Sequence, residues 1–112
     1  MSRRRSSRSL VLAASVFAAL GDATRLKLVA RLNDGKTRSI AQLADGFELT
    51  RQGVTKHLRV LERAGIVRST TVGRESQFVY VPGAVKHATS YLETVSQQWD
   101  EALSRLKTLV EG

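Results

Sequence analysis

The segment TRQGVTKHLRVLERAG, residues 50–65, holds a regular set of side chains that donate hydrogen bonds. At about 100° per residue, its polar side chains fall within an arc of roughly 140° and its apolar ones lie opposite. The polar arc contains Arg51, Gln52, Thr55, Lys56, Arg59 and Arg63, and the apolar side contains Val54, Leu58 and Leu61. Arginine and lysine bind guanine edges, glutamine binds adenine, and threonine contacts base edges or thymine methyl groups. The pattern therefore predicts a helix over 50–64 that packs by one face and reads DNA with the other, although ordinary solvated helices also carry basic faces.

Position along this predicted helix separates two kinds of contact. Residues near the N-terminus of a recognition helix reach the bases, so we expect Arg51, Gln52 and Thr55 to read them. We expect Lys56 and Arg59, like Arg63, to bind phosphates. Gly53 costs the helix about 1 kcal/mol relative to alanine. Close approach of the backbone to DNA or to the preceding helix would explain why this position is a glycine.

A β-hairpin is predicted directly after this helix. Past Gly65, IVRSTTV and SQFVYVP alternate with period two around Gly73-Arg74-Glu75. A hairpin over 66–82 next to a recognition helix is a wing, with Arg74 at its tip and Arg68 on a strand, where both could contact the DNA backbone or minor groove. The alternative for each arginine is simple solubility.

Three shorter helices are predicted upstream. Residues 10–20 form the first, Asp22 caps a second that ends at Asn33-Asp34-Gly35, and residues 39–44 form the third, capped by Ser39 or Thr37. The expected apolar faces contain Leu26, Val29, Ala30 and Leu32 in the second helix and Ile40, Leu43 and Ala44 in the third. The turn 45–49 and the cap Thr50 then lead into the basic helix. Two helices joined in this way form a helix-turn-helix.

A long last helix carries an apolar seam. The seam contains Val85, Ala88, Leu92, Val95, Trp99, Ala102, Leu106 and Leu109, in alternating steps of three and four. Part of this seam should pack on the domain itself, but a small domain cannot cover all of it, so we expect a two-fold homodimer. The predicted interface contains Leu12, Val16, Leu92, Val95, Trp99, Ala102 and Leu106.

Composition narrows the function. The net charge is +8, with +4 in residues 1–9 and +5 in residues 36–74, as expected for a chain that binds a polyanion. The chain has no cysteine, which excludes disulfides, thiolate metal sites and cysteine nucleophiles. Because no paired carboxylates, Ser-His-Asp set or phosphate loop is present, we expect no enzyme activity, and we expect neither a cofactor nor a metal site.

The N-terminal stretch MSRRRSSRSLVLAASVFAAL fits two interpretations. A basic segment, an apolar run and small residues around 18–23 are typical of a secretion signal. They equally fit a basic arm followed by a first helix. Cleavage near Ala23 would remove half of the predicted dimer surface, so we expect a flexible basic arm over 1–9 and one domain over 10–112. The apolar run of 11 residues is too short to span a bilayer. We predict a cytoplasmic protein without a membrane partner.

The chain resembles the ArsR-type winged-helix transcriptional regulators over residues 12–110. ALGDATRLKLVARL, SIAQLADGFELTRQGVTKHLRVLERAGIV and GRESQFVYV are similar to that family's DxTR stretch, its VSKHLxxLxxAGLV-like recognition segment and its wing. The resemblance implies a mainly α winged helix-turn-helix, with four helices, a small β-hairpin and a last helix. It also implies double-stranded DNA as partner and dimerisation through the first and last helices. Residues at the DNA would be Thr50, Arg51, Gln52, Thr55, Lys56 and His57.

The chain departs from this family at its sensing sites. The stretch RSIAQLAD lacks the cysteine pair that many relatives carry in the third helix. Around His87, the Asp and His ligands of a zinc site between the terminal helices are also missing. The resemblance therefore implies the metal-independent branch, controlled by an unidentified effector or a protein partner. We expect a homodimeric repressor that reads an inverted repeat, the alternative being a winged-helix module that binds other proteins.

Overall fold

The computed structural model describes residues 2–111, with side chains from residue 7 onward. This part of the chain is mainly helical with a small antiparallel sheet, as predicted. Its elements are α1 (Ser2–Leu20), α2 (Ala23–Leu32), β1 (Arg38–Ser39), α3 (Ile40–Ala44), α4 (Arg51–Arg63), β2 (Val67–Val72), β3 (Glu75–Tyr80) and α5 (Pro82–Glu111). The predicted arm begins at Met1 and the predicted domain ends at Gly112, and both of these residues lie outside the described part of the chain.

The helix boundaries follow the capping residues that the sequence indicated. Asp22 caps α2, and Thr50 caps α4 through its side-chain oxygen. Of the two candidates for α3, Ser39 is the cap, and it forms a reciprocal capping box with Gln42. Gly65, whose φ of +79° favours glycine, follows the end of α4. Side-chain caps thus determine where both α3 and α4 begin.

Helix α1 begins eight residues earlier than the predicted start at Leu10. Serine and arginine are acceptable helix formers, and residues 2–20 contain neither glycine nor proline to stop the helix. The segment expected as an irregular arm over 1–9 therefore continues α1 from Ser2. Its mobility stays a prediction, and the side chains of Arg3, Arg4 and Arg5 lie outside the described part.

The core is formed where α2, α4 and the sheet meet. Its buried residues are Ala13, Val16, Ala19, Leu28, Leu32, Leu43, Val54, Leu58, Leu61, Ile66, Val67, Phe78 and Ala88. The predicted face of α2 was partly wrong, because Leu32 is buried and Val29 packs on the core, but Leu26 and Ala30 are exposed and Leu28 is buried instead. Both stripes have helical spacing, and packing against α4 and β3 decides which one enters the core.

A third strand, β1, was not predicted from the sequence. It pairs with β3, where Arg38 lies opposite Phe78, giving the antiparallel order β1-β3-β2. A strand of two residues is too short to show a period of two. The predicted hairpin is confirmed, with the two-residue turn Gly73-Arg74 between Val72 and Glu75. A φ of +64° at Gly73 suits a turn of type II′.

The long helix α5 packs on α1 and meets the core with its first half. Ala88 is buried there, with Val85 and Tyr91 partly buried beside it, as expected for part of the seam. Most side chains of the second half are exposed, and the molecule has extents of 67 × 33 × 22 Å. Val16, predicted at the dimer interface, is instead 2% exposed, because it lies on the same face of α1 as Ala13 and packs into its own core.

Among residues 2–111, no single helix is both long and apolar enough to cross a membrane. The segments 7–20 and 23–32 pass that test only as a pair, and the chain bends by 97° between them.

Candidate nucleic-acid interface

The start of α4 and the tip of the wing enclose one open groove of about 520 Å³. Its lining residues are Ile40, Ala41, Arg51, Gln52, Thr55, Lys56, Arg74, Glu75 and Ser76. Five of the predicted DNA-binding residues therefore meet in one place, although Arg74 is more than 17 residues from the others along the chain. The α3 residues form the remaining wall.

Packing of α4 explains why these side chains face outward. Val54, Leu58 and Leu61 are completely buried on the opposite side, as predicted, and anchor the helix to α2, α3 and β2. The exposed side presents Arg51 and Gln52 at the first turn, where a groove-bound helix reaches base edges. Arg51, Lys56 and Arg74 line the groove together with one acidic residue, Glu75, so its lining carries a net positive charge that favours a polyanion.

Two threonines of the site already make backbone hydrogen bonds. The Thr50 Oγ1 accepts a hydrogen bond from the Gly53 N–H at 3.0 Å, which is the helix cap. The Thr55 hydroxyl donates to the Arg51 carbonyl at 2.7 Å. Thr55 consequently offers its methyl group and hydroxyl lone pairs to a ligand, whereas Thr50 can still donate its hydroxyl hydrogen. Thr55 lines the groove, whereas Thr50 is not among its lining residues.

Comparison with known proteins identifies the family. Residues 20–70 match the family model described as a helix-turn-helix domain. An HTH-type transcriptional regulator of Methanocaldococcus jannaschii is 30% identical over 74 residues, which cover 66% of this chain and 83% of that protein. A Bacillus subtilis regulator of the same type is 32% identical, covering 59% and 78% respectively. The solved structure of an ArsR-like transcriptional regulator from Rhodococcus sp. RHA1 superposes with a TM-score of 0.78 at 34% identity, over 89% of this chain and 93% of that one.

The chain belongs to the ArsR-like transcriptional regulators. This confirms the predicted winged helix-turn-helix fold and the prediction of a transcriptional regulator rather than an enzyme. Regulators of this family bind DNA through the helix-turn-helix, so the groove at the start of α4 lies on the element that the family uses.

His57 does not line this groove of the ArsR-like domain. Its Nδ1 lies 3.2 Å from the Arg25 Nη1 and 3.8 Å from the Asp22 Oδ2, at the start of α2. The resemblance placed His57 at the DNA. In the structure it is half-buried on another side of α4, because α2 packs there and supplies both partners.

Arg59, expected on a phosphate, instead joins α4 to the wing. Its Nη1 donates to the Glu62 Oε1 at 2.8 Å and lies 3.4 Å from the Ser69 Oγ, while its guanidinium sits 5.4 Å from the centre of the Phe78 ring. The Ser69 N–H and hydroxyl both donate to Glu62. The Ser69 hydroxyl, followed by Arg59, lowers the pKa of Glu62. With its charge compensated by Glu62, Arg59 is a weaker candidate for phosphate binding.

Two other predicted phosphate contacts also lie outside the groove. Arg63 lines grooves between α1 and the end of α4, away from the wing tip. Arg68 is exposed on β2.

Arg31 is a residue of this ArsR-like domain that the sequence analysis missed. Its Nη1 donates to the Leu43 carbonyl at 2.8 Å and to the Asp45 carbonyl, and its guanidinium lies 4.4 Å from the centre of the Phe47 ring. It therefore caps the end of α3 and holds the turn between α3 and α4. Because Arg31 precedes its partner Leu43 by 12 residues, the spacing of residues within one helix does not indicate this contact.

Proposed function

We propose that this ArsR-like regulator is a homodimeric repressor that reads an inverted-repeat operator with α4 and the wing. The observation that carries this proposal is the single groove holding Arg51, Gln52, Thr55, Lys56 and Arg74. Its donors match those that bind guanine and adenine edges in the major groove. Arg74, at the wing tip, is placed for a phosphate or the adjacent minor groove.

An exposed apolar stripe supports the homodimer. Leu92, Trp99 and Leu106 recur every seven residues on one face of α5, and Trp99 and Leu106 are 65% and 56% exposed. Val95 and Ala102 are half-buried on the same stripe, and Leu12 of α1 is also exposed. A second copy related by a two-fold axis would cover these side chains and place two recognition helices about 34 Å apart.

Control of the repressor is proposed to be independent of metal. The chain lacks cysteine, and the part that the structure describes holds no group of three histidine or acidic side chains arranged to bind an ion. An organic effector or a protein partner is the kind of signal that fits, and the cytoplasm is the compartment that fits binding to DNA.

Selection of DNA from a random pool, followed by mobility shifts, tests this proposal. We expect an inverted repeat, and we expect Gln52→Ala to reduce discrimination between operator and scrambled DNA by about 1–3 kcal/mol, because one bidentate base contact is lost. Gln97→Ala, on the exposed side of α5, is the matched control and should leave discrimination unchanged.

Salt dependence and a reporter complete the test. With six to ten phosphate contacts, affinity should fall by about 10³ to 10⁵ between 50 and 200 mM salt. Transcription from a promoter that overlaps the operator should decrease when the protein is expressed. Full discrimination by the Gln52→Ala variant would contradict the base assignment. No binding to any DNA at low salt would favour the protein-interaction module instead.

A further inference from the structure

Arg25 connects three helices with one side chain. It projects from the first turn of α2, where its own N–H donates to the Asp22 cap at 3.0 Å. The Nε donates to the Ala19 carbonyl at 2.5 Å, and the Nη2 to the Ala18 carbonyl at 3.4 Å, so the guanidinium caps the C-terminal end of α1. Its Nη1 reaches His57 of α4 at 3.2 Å.

The chemistry of Arg25 and His57 determines which of them donates the hydrogen bond. A guanidinium has only donors, so the His57 Nδ1 must accept, and the neutral ring carries its proton on Nε2. The carbonyls at the end of α1 bear partial negative charge, which favours a cation there. The planar fork holds acceptors from α1 and α4 in one geometry, which the point charge of a lysine would not reproduce.

Beside the hydrogen bonds of Arg25, space remains between α1 and the second half of α4. A groove of about 350 Å³ separates them, and its lining residues are Ser15, Ala18, Ala19, Arg25, Val60, Arg63 and Ala64. Because most of these side chains are small, few large side chains interlock across the groove to fix the angle between the two helices. At the edge of the groove, hydrogen bonds of Arg25 connect the end of α1 to His57 of α4.

We propose that Arg25 is a positioning residue that sets the angle of the recognition helix relative to α1, and hence the separation of the two recognition helices in the dimer. The proposal rests on the proposed homodimer and operator. His57 lies six residues, or roughly 9 Å, from the N-terminal end of α4. A rotation of about 10° about the link would move that end by about 1.6 Å, and two-fold symmetry would change the separation of the two ends by about 3 Å, close to the rise of one base pair. Arg25 would therefore determine which half-site spacing the regulator accepts.

The test measures binding to operators whose central spacer is lengthened or shortened by one or two base pairs. We expect the wild-type protein to lose at least about tenfold in affinity on the altered spacers. Arg25→Met and His57→Leu should each reduce that preference to less than about threefold, while base preference within a half-site is retained. Arg25→Lys should behave like Arg25→Met.

Two variants serve as controls. His57→Asn should restore the spacing preference, because the asparagine Oδ1 takes the position of the Nδ1 acceptor. Lys27→Met, which removes an exposed cation from the same helix, should match the wild-type protein. Thermal unfolding of every variant establishes that it is folded, and if Arg25→Met does not fold, His57→Leu carries the test.

Either of two results would overturn the role of Arg25. One is an unchanged spacing preference in folded Arg25→Met and His57→Leu proteins, and the other is an equal loss of affinity on every spacer, as a merely structural residue would give. A wild-type protein that is monomeric or indifferent to spacing would overturn the proposed dimeric operator complex itself, and the role of Arg25 with it.

Discussion

Gly53 lies in the first turn of α4, next to the groove residue Gln52, in a helix that does not require glycine there. A Cβ at this position would lie 3.5 Å from the Thr50 Oγ1 and 3.6 Å from the Leu49 Cβ, which are ordinary contacts. Crowding by the preceding residues therefore does not explain the glycine. Of the two predicted reasons, close approach of the α4 backbone to DNA is the one that remains.

Substituting Gly53 with alanine should separate stability from binding. We expect the free energy of unfolding to rise by about 0.5–1 kcal/mol, because alanine restricts the unfolded chain and favours helix. Operator affinity should fall about tenfold, because the new methyl group lies at the DNA-facing turn. Urea unfolding and a DNA titration measure the two effects.

Gly83→Ala is the matched control for this variant. Gly83 also lies in the first turn of its helix, and nothing stands within 4 Å of the added Cβ. It should raise stability without changing affinity. If Gly53→Ala binds the operator as tightly as the wild-type protein, the close approach of backbone to DNA is wrong.

Prediction from the sequence succeeded for residues whose role depends on their own helix. The exposed Arg51 and Gln52 and the buried Val54 follow from spacing alone. It did not show the partners of His57 and Arg59, which include Arg25 and Ser69 on other elements, and the role of both residues at DNA stays a prediction. Side chains with several donors take the partners that tertiary packing supplies, and spacing along one helix does not show those partners.

At the scale of elements, the wing is fastened to the recognition helix by ionic hydrogen bonds. Glu62 of α4 accepts from the Ser69 N–H and hydroxyl of β2 and from Arg59. These bonds lower the pKa of Glu62 below its ordinary value of 4.5, so they favour the ionised carboxylate in the folded state. We therefore expect the orientation of the wing relative to α4 to depend on that charge.

Glu62→Gln should weaken this attachment. Because the folded pKa is lowered, the stabilisation is present above the ordinary pKa and is lost as pH falls below it. We expect the variant to be less stable by about 1 kcal/mol at neutral pH. The difference from the wild-type protein should disappear in acid.

Thermal unfolding as a function of pH measures this difference. Asp22 and Asp34 also have lowered pKa values, through hydrogen bonds from Arg25 and Arg38 respectively. Therefore only the difference in stability between the wild-type protein and the Glu62→Gln variant reports on Glu62. A difference that is constant from pH 7 to pH 3 would show that the Glu62 charge does not hold the wing.

At the scale of the whole molecule, the long second half of α5 dominates the shape. Ala88 is the last residue of α5, within the described part, that is fully buried, and the apolar stripe continues past it to Leu109. The heptad spacing showed this stripe in the sequence. The same spacing could not show that Val16 packs inward, because α1 is apolar on several sides and only the fold selects the buried one.

Leu106→Glu should disrupt the proposed homodimer. Burying one leucine contributes about 1.5–3 kcal/mol, and two-fold symmetry counts it twice, so the dimer dissociation constant should rise at least about 100-fold. Sedimentation equilibrium measures this change. Ser104→Glu, which adds the same charge on the polar side of α5, is the control and should remain dimeric. A dimeric Leu106→Glu protein would place the interface elsewhere.

The pairing of β1 with β3 has a consequence for how the chain folds. Arg38 lies opposite Phe78, 40 residues further along, and the fully buried Phe78 side chain completes the core beneath the helix-turn-helix. During synthesis, residues 20–70 would emerge with α2, α3 and α4 but without that strand. We therefore expect that residues 20–70, which match the family model, do not fold by themselves, and that closing this loop is a non-local step that limits the folding rate.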